Sequence, residues 1–144
     1  MNVFYGDYEL CDDQSRISMD VIYQWLHDDA YWSKGRSRTT FDKSVEHSHL
    51  LGVLSSRGET VGCVRVVTDQ ATFAWVCDVF VEPAHRGVGV GSWMVARVVD
   101  YWLERGVPRV LLATRDAHEV YSKVGFSPLA HPSRFMEIDH RPQS

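Results

Sequence analysis

Apolar residues recur along this chain with two periods. Val21, Ile22, Trp25 and Leu26 fall at the spacing that lines one face of a helix, and Ser18 precedes them as an N-cap whose hydroxyl can accept a free backbone N–H. A second helix is expected from Thr40 to His47. His49 to Leu54 and Thr60 to Val67 are instead rich in β-branched and apolar residues. Ser55-Ser56-Arg57-Gly58-Glu59 between them supplies turn chemistry, so the two runs predict a β-hairpin. A third strand should run from Thr72 to Val81 and stop before Pro83, because proline has no N–H to give a sheet.

Helical spacing returns at Met94, Val95, Val98, Val99 and Trp102, with Arg97, Asp100 and Glu104 facing away, and Gly106 and Pro108 end the helix. Arg109 to Ala113 is a short, nearly continuous apolar run, as expected of a strand buried on both faces. Thr72 to Ala113 therefore reads as a strand-helix-strand crossover, which makes its two strands parallel. A short helix from Asp116 to Lys123 and a last strand around Phe135 to Ile138 complete an α+β domain.

Composition narrows the class. The 144 residues, 44% hydrophobic and 24% charged, fit a single domain spanning 1–144, and no repeat or linker divides them. No apolar run approaches the ~20 residues of a membrane-spanning helix, and the N-terminus lacks the features of a signal peptide. A cytoplasmic location follows as the expectation. Cys11, Cys63 and Cys77 are odd in number and widely spaced, which argues for free thiols rather than disulfides or a zinc site. The formal net charge of -4 leaves no basic stripe for nucleic acid.

Candidate chemistry concentrates at Arg86-Gly87-Val88-Gly89-Val90-Gly91, between the third strand and the long helix. Glycines let the backbone turn with its amides converging, and a helix N-terminus adds unpaired N–H groups with partial positive charge, so the segment suits a phosphate. A tight connection without a ligand is the bland alternative. The dinucleotide pattern fails because Ser92 stands where its third glycine should be, and the triphosphatase loop fails for want of a Lys-Ser/Thr pair.

Val79-Phe80-Val81-Glu82-Pro83-Ala84-His85-Arg86-Gly87-Val88-Gly89-Val90-Gly91 resembles the central motif of the GCN5-related N-acetyltransferase (GNAT) superfamily. In that family an apolar-x-Val strand end and a Pro-containing loop precede Arg/Gln-x-x-Gly-x-Gly/Ala. A second family motif, an alanine followed by Tyr-x-Lys-x-Gly-Phe, is matched by Ala117 and Tyr121-Ser122-Lys123-Val124-Gly125-Phe126. The two motifs cover about Thr72 to Phe126. The resemblance implies a mixed, mostly antiparallel sheet with a central, splayed parallel strand pair flanked by helices. It also implies acetyl-coenzyme A as co-substrate, no metal, and a small-molecule or peptide amine as acceptor for a protein that is a monomer or homodimer.

By that resemblance the pantetheine arm pairs with the main chain of Val79 and Val81, and the pyrophosphate rests on the amides of Val88 to Ser92, with Arg86 at the entrance. Thr114 stands where the family has an asparagine that contacts the cofactor. Tyr121 is the expected acid for the departing thiolate. Asp78, a carboxylate inside an apolar strand, is a candidate base or substrate anchor, with a structural ion pair to Arg65 as the alternative. Strand alternation groups Asp78 with Val76 and Phe80 unless a bulge resets the faces. Tyr31 and Trp32 resemble the family's aromatic acceptor wall, and Trp32 is the candidate substrate contact. His47 and His49 lack the company a metal would need, His118 can orient Tyr121 or sit in solvent, and nothing positions a histidine beside Cys77 for a covalent route. The rival function is a non-catalytic coenzyme-A-binding or partner-binding module, which an acceptor channel blocked by the N-terminal helices would favour.

Overall fold

The computed structural model describes residues 1–142. Six strands, β1 (Asn2–Tyr5), β2 (Tyr8–Cys11), β3 (His49–Leu54), β4 (Thr60–Thr68), β5 (Ala74–Val81) and β6 (Val110–Leu111), lie side by side in chain order. Each neighbouring pair is antiparallel except β5 and β6, which are parallel as the crossover requires. Four helices flank the sheet: α1 (Met19–Gln24), α2 (Arg38–Glu46), α3 (Val90–Glu104) and α4 (His118–Val124).

Two apolar clusters occupy the two faces. Met94, Val98 and Trp102 of α3 pack with Leu51, Val53, Val64, Val66 and Val76, while Ile22, Trp25, Leu26, Phe41 and Val45 pack with Leu50, Cys63 and Phe80 on the other side. At roughly 1.5–3 kcal/mol for each fully buried large side chain, these faces hold α1 to α3 on the sheet. Ser18 caps α1 by accepting the Val21 N–H, and a π-helical turn, Trp25–Asp29, carries the chain onward. Helix α3 ends in a Schellman motif: Gly106 takes a left-handed φ of 89°, and the N–H groups of Gly106 and Val107 donate to Leu103 and Trp102.

Three sequence expectations change. Asn2 to Cys11 forms a hairpin that the pattern reading passed over, with Gly6-Asp7 as its two-residue loop. The strand expected from Arg109 to Ala113 shortens to Val110–Leu111 and is half-buried rather than covered on both faces. It pairs with β5 only through Ala74–Val110 and Trp75–Leu111, after which the strands diverge. The strand expected around Phe135 to Ile138 is not formed. So short a β6 offers little ladder to extend, and Met136 and Ile138 stay exposed, at 96% and 88%. The parallel pair consequently ends the described sheet instead of lying in its middle.

Candidate active site

A register shift opens the site. Arg65 pairs with Cys77 but Cys63 pairs with Phe80, so Val64 alone opposes both Asp78 and Val79, the signature of a β-bulge. Asp78 takes a left-handed φ of 51°, which aspartate tolerates better than most residues. The bulge resets the faces: Val79 and Val81 join Val76 on the α3 side, and Phe80 joins the opposite cluster. The expected grouping of Asp78 with Val76 and Phe80 is therefore broken. Beyond the bulge the Glu82 N–H bonds to Val61 O at 2.9 Å, so by antiparallel alternation Val81 turns its peptide groups away from β4.

The wedge between β5 and α4 is a cleft of about 720 Å³. Val79, Val81, Arg86, Gly87, Gly89, Val90, Gly91, Ser92 and Tyr121 all line it, with Tyr31 and Trp32 on the α1 side. At its far end Gly87 and Gly89 have φ of 84° and 86°, and Gly89 is the N-cap of α3. The first amides of that helix have no partner within it, and Val90, Gly91 and Ser92, which carry them, line the cleft end. Arg86 does more than stand at the entrance. Its Nε donates to Val81 O at 2.7 Å and its guanidinium lies 5.1 Å from the Phe80 ring centroid, fixing strand end to loop. Val88 does not line the cleft; its carbonyl accepts from Tyr5 Oη at 2.8 Å. Tyr5 also stacks on Trp93, so the unforeseen hairpin braces the glycine loop.

Helix α4 presents Tyr121. Its end is a second Schellman motif, in which Gly125 takes a φ of 112° and the N–H groups of Gly125 and Phe126 donate to Ser122 and Tyr121. That turn brings the Phe126 ring edge-on to Tyr121, 6.0 Å between centroids. The spacing Tyr-x-x-x-Gly-Phe is thus a device for fixing one ring. Burial, with a smaller effect from Tyr31, raises the Tyr121 hydroxyl above its ordinary value of 10.0, so it keeps its proton at neutral pH. Thr114 lies in the approach to the same helix: its Oγ1 accepts the N–H of the N-cap residue Ala117 at 3.0 Å, and it lines neighbouring hollows rather than the main cleft.

Next to Tyr121 and Val79 a second cavity of about 460 Å³ contains Asp78, Arg36, Arg65, Trp75, Cys77 and Thr114, and shares Tyr31, Trp32 and Tyr121 with the cleft. Asp78 is 4% exposed and fully engaged. One oxygen accepts from Arg36 Nη1 and Arg65 Nε, each at 2.8 Å, and the other from Trp32 Nε1 at 2.9 Å. Burial pushes its pKa up, but the two guanidiniums outweigh burial and hold the carboxyl below its ordinary value. The ion pair with Arg65 weighed from sequence is present, joined by Arg36, which lies 42 residues away and gave no sequence signal. The candidate base is thus a poor proton acceptor, its lone pairs committed to three donors.

The remaining candidates fall outside the reacting region or are quiet. His49 bonds to Asp12 at 3.1 Å and packs on Tyr101 and Trp102, and His118 is exposed. Burial pushes the Cys77 thiol up to about 11, leaving little thiolate at neutral pH. Cys11, Cys63 and Cys77 are all free, and no helix among the described residues is long and apolar enough to cross a membrane.

Comparison with known proteins agrees with this architecture. A protein of Gibberella zeae classed as an acetyltransferase, FG08082, is 30% identical over 139 residues, spanning 82% of this chain and 77% of its own. The crystal structure of a protein of Xanthomonas campestris assigned to the GNAT family superposes with a TM-score of 0.85 at 33% identity, covering 92% of each chain. A GNAT family acetyltransferase of Elizabethkingia anophelis, solved with acetyl-CoA bound, shares the fold at 14% identity and a TM-score of 0.67, over 85% of this chain and 78% of that one. Residues 19–126 match the Acetyltransferase (GNAT) family, and with the splayed β5–β6 pair and its glycine loop on one sheet, this chain belongs to that family and is an acyltransferase.

Proposed function

We propose that this chain, as one domain over 1–144, moves an acetyl group from acetyl-coenzyme A directly to a primary amine. The observation that carries the reading is the continuous cleft from the α3 N-terminus to Val79 and Tyr121, meeting a second, open cavity there. Positive-φ glycines, unpaired helix amides and an apolar trough suit a diphosphate with a long amide-bearing arm. The co-substrate supplies a thioester, an acyl group already activated for attack by nitrogen. Free thiols favour a cytoplasmic setting.

In this reading the amides of Gly89 to Ser92 hold the pyrophosphate, Val88 being turned to Tyr5 instead, with Arg86 securing their approach. The outward-turned peptide groups of Val81, and with them those of Val79, which line the cleft, pair with the arm as a neighbouring strand would. The Val79 N–H stabilises charge developing on the reacting carbonyl oxygen, and Tyr121 gives its proton to the departing sulfur. Trp32 walls the acceptor side, and Thr114 supports the site through α4. Asp78 positions Trp32 and the two arginines and does not act as base. The acceptor instead enters as its neutral amine; as the C–N bond forms and the C–S bond breaks, the proton released by nitrogen passes to water in the open mouth of the second cavity, and water returns a proton to the Tyr121 phenolate. The N-terminal segments wall that cavity without filling it, which favours turnover over a binding-only module.

The test is acetyl-CoA consumption over a panel of amines, with calorimetric titration of coenzyme A as the control. Micromolar binding with turnover of at least one amine is expected; tight binding with no turnover across the panel would sink the catalytic reading.

A further inference from the structure

The charge around the second cavity does not suit a simple amine. Arg36 and Arg65 both face one carboxylate, that of Asp78, and they contact the same oxygen. Asp116 at the rim is paired with Arg115, and Arg141 with Asp139, so these two pairs cancel. Two guanidiniums against one carboxylate leave one positive charge beside the proposed transfer point. The excess is also sterically available. Arg36 commits only Nη1, and Arg65 commits Nε and, to Ser48, Nη1. The side-chain atoms buried without a partner among the described residues belong to His49 and Trp102, so the spare arginine N–H groups are not sealed off, and both arginines line the cavity. Trp75, Trp32 and Tyr31 flank them.

We infer that the acceptor carries a carboxylate close to its amine, in the class of free amino acids, and that Arg36 and Arg65 hold that carboxylate. A guanidinium fork matches carboxylate geometry, and its hydrogen bonds to a charged acceptor are stronger than neutral ones. The pairing cancels the cavity's surplus charge, which otherwise opposes a cationic amine. The spacing is bounded because Asp78, which fixes both arginines, is the chain neighbour of Val79, their Cα atoms about 3.8 Å apart, so the guanidiniums lie one aspartate side chain and one hydrogen bond from that backbone. That limits the acceptor to an amine and a carboxylate separated by a few bonds. Bond making is confined to the nitrogen, and the carboxylate only anchors.

This inference rests on the proposed acetyl transfer, and one assay separates the two. Acetyl-CoA consumption is measured with free amino acids, their carboxamides and the matching amines without the carboxyl group. The expected kcat/KM is about ten- to a hundredfold higher for the acids, the range for hydrogen bonds to a charged group. In Arg36→Gln that ratio should fall toward one, with coenzyme A titration showing that the variant is folded. Acids and decarboxylated amines used within twofold of each other by the unaltered chain would overturn the inference while leaving acetyl transfer standing. So would an unchanged ratio in a folded Arg36→Gln. No turnover of any amine would remove the acetyl-transfer reading, and this inference with it.

Discussion

Tyr121 and Asp78 line one cavity with Val79, yet their surroundings push them toward opposite tasks. Burial favours the neutral phenol, so Tyr121 holds its proton more firmly than an ordinary tyrosine. Tyr121→Phe should lower kcat by about a hundredfold while leaving the KM for acetyl-CoA within twofold, since positioned acids contribute roughly 10²–10⁴. Steady-state kinetics from pH 7 to 10 checks this, and an unaltered kcat would assign the ring to packing on Phe126. Two guanidiniums favour the ionised form of Asp78. A lowered folded pKa adds stability that is present above the unfolded aspartate value, near 3.9, and is lost as pH falls through the lower folded value. Asp78→Asn should cost about 3 kcal/mol at pH 7, because it leaves two arginines without their anion. Urea unfolding from pH 7 to 2.5 should show the gap between the two proteins closing in the acid range; a gap constant with pH would mean the ion pair contributes nothing.

Among the elements, the glycine turn between β5 and α3 makes the most exacting demand on sequence. A Cβ on Gly89 would lie 2.8 Å from Tyr5 Oη, and the φ of 86° is one that branched side chains avoid. Gly89→Val should therefore weaken coenzyme A binding by at least tenfold, while circular dichroism and the thermal midpoint report a folded sheet; unchanged affinity would discredit the loop as the diphosphate cradle. That turn, α3 and the β3–β4 hairpin were legible in the sequence because each rests on a local signal: glycine spacing, helical periodicity, turn residues between β-branched runs. The β1–β2 hairpin had a signal too, Gly6-Asp7 between Tyr5 and Tyr8, but its strands are four residues long and β1 is mostly exposed, so alternation gave little contrast. Phe135 to Ile138 failed in the opposite sense. Its residues have strand character, but a strand needs a ladder, and β6 provides two residues of one. The partners of Asp78 escaped for a third reason: Trp32 and Arg36 reach it across 46 and 42 positions, and no local pattern encodes so distant a meeting.

Across the whole molecule, the hairpin at one edge of the sheet reaches the segment that leaves β5. β1 is four strands removed from β5 in the sheet order, yet Tyr5 at its end closes on Val88 and Trp93, and Tyr8 at the start of β2 meets His85 Nδ1 at 2.9 Å. Both contacts fall on the segment that joins β5 to α3. The loop must hold several amides convergent with few side chains of its own, so its rigidity has to come from outside, and the hairpin supplies it through two hydrogen bonds and one stacked ring. Tyr5→Phe keeps the ring and deletes the bond to Val88 O, a group still able to find water. A typical exposed hydrogen bond contributes about 0.5–1.5 kcal/mol, so the loss should appear as roughly a two- to tenfold weaker affinity for coenzyme A with little change in the unfolding midpoint. Tyr5→Ala removes the ring as well and should weaken binding further, because the loop then loses its stacked cover on Trp93. Calorimetric titration of both variants decides the matter: equal affinities in all three proteins would mean the loop holds its shape alone, and the hairpin would then serve only to close the edge of the sheet.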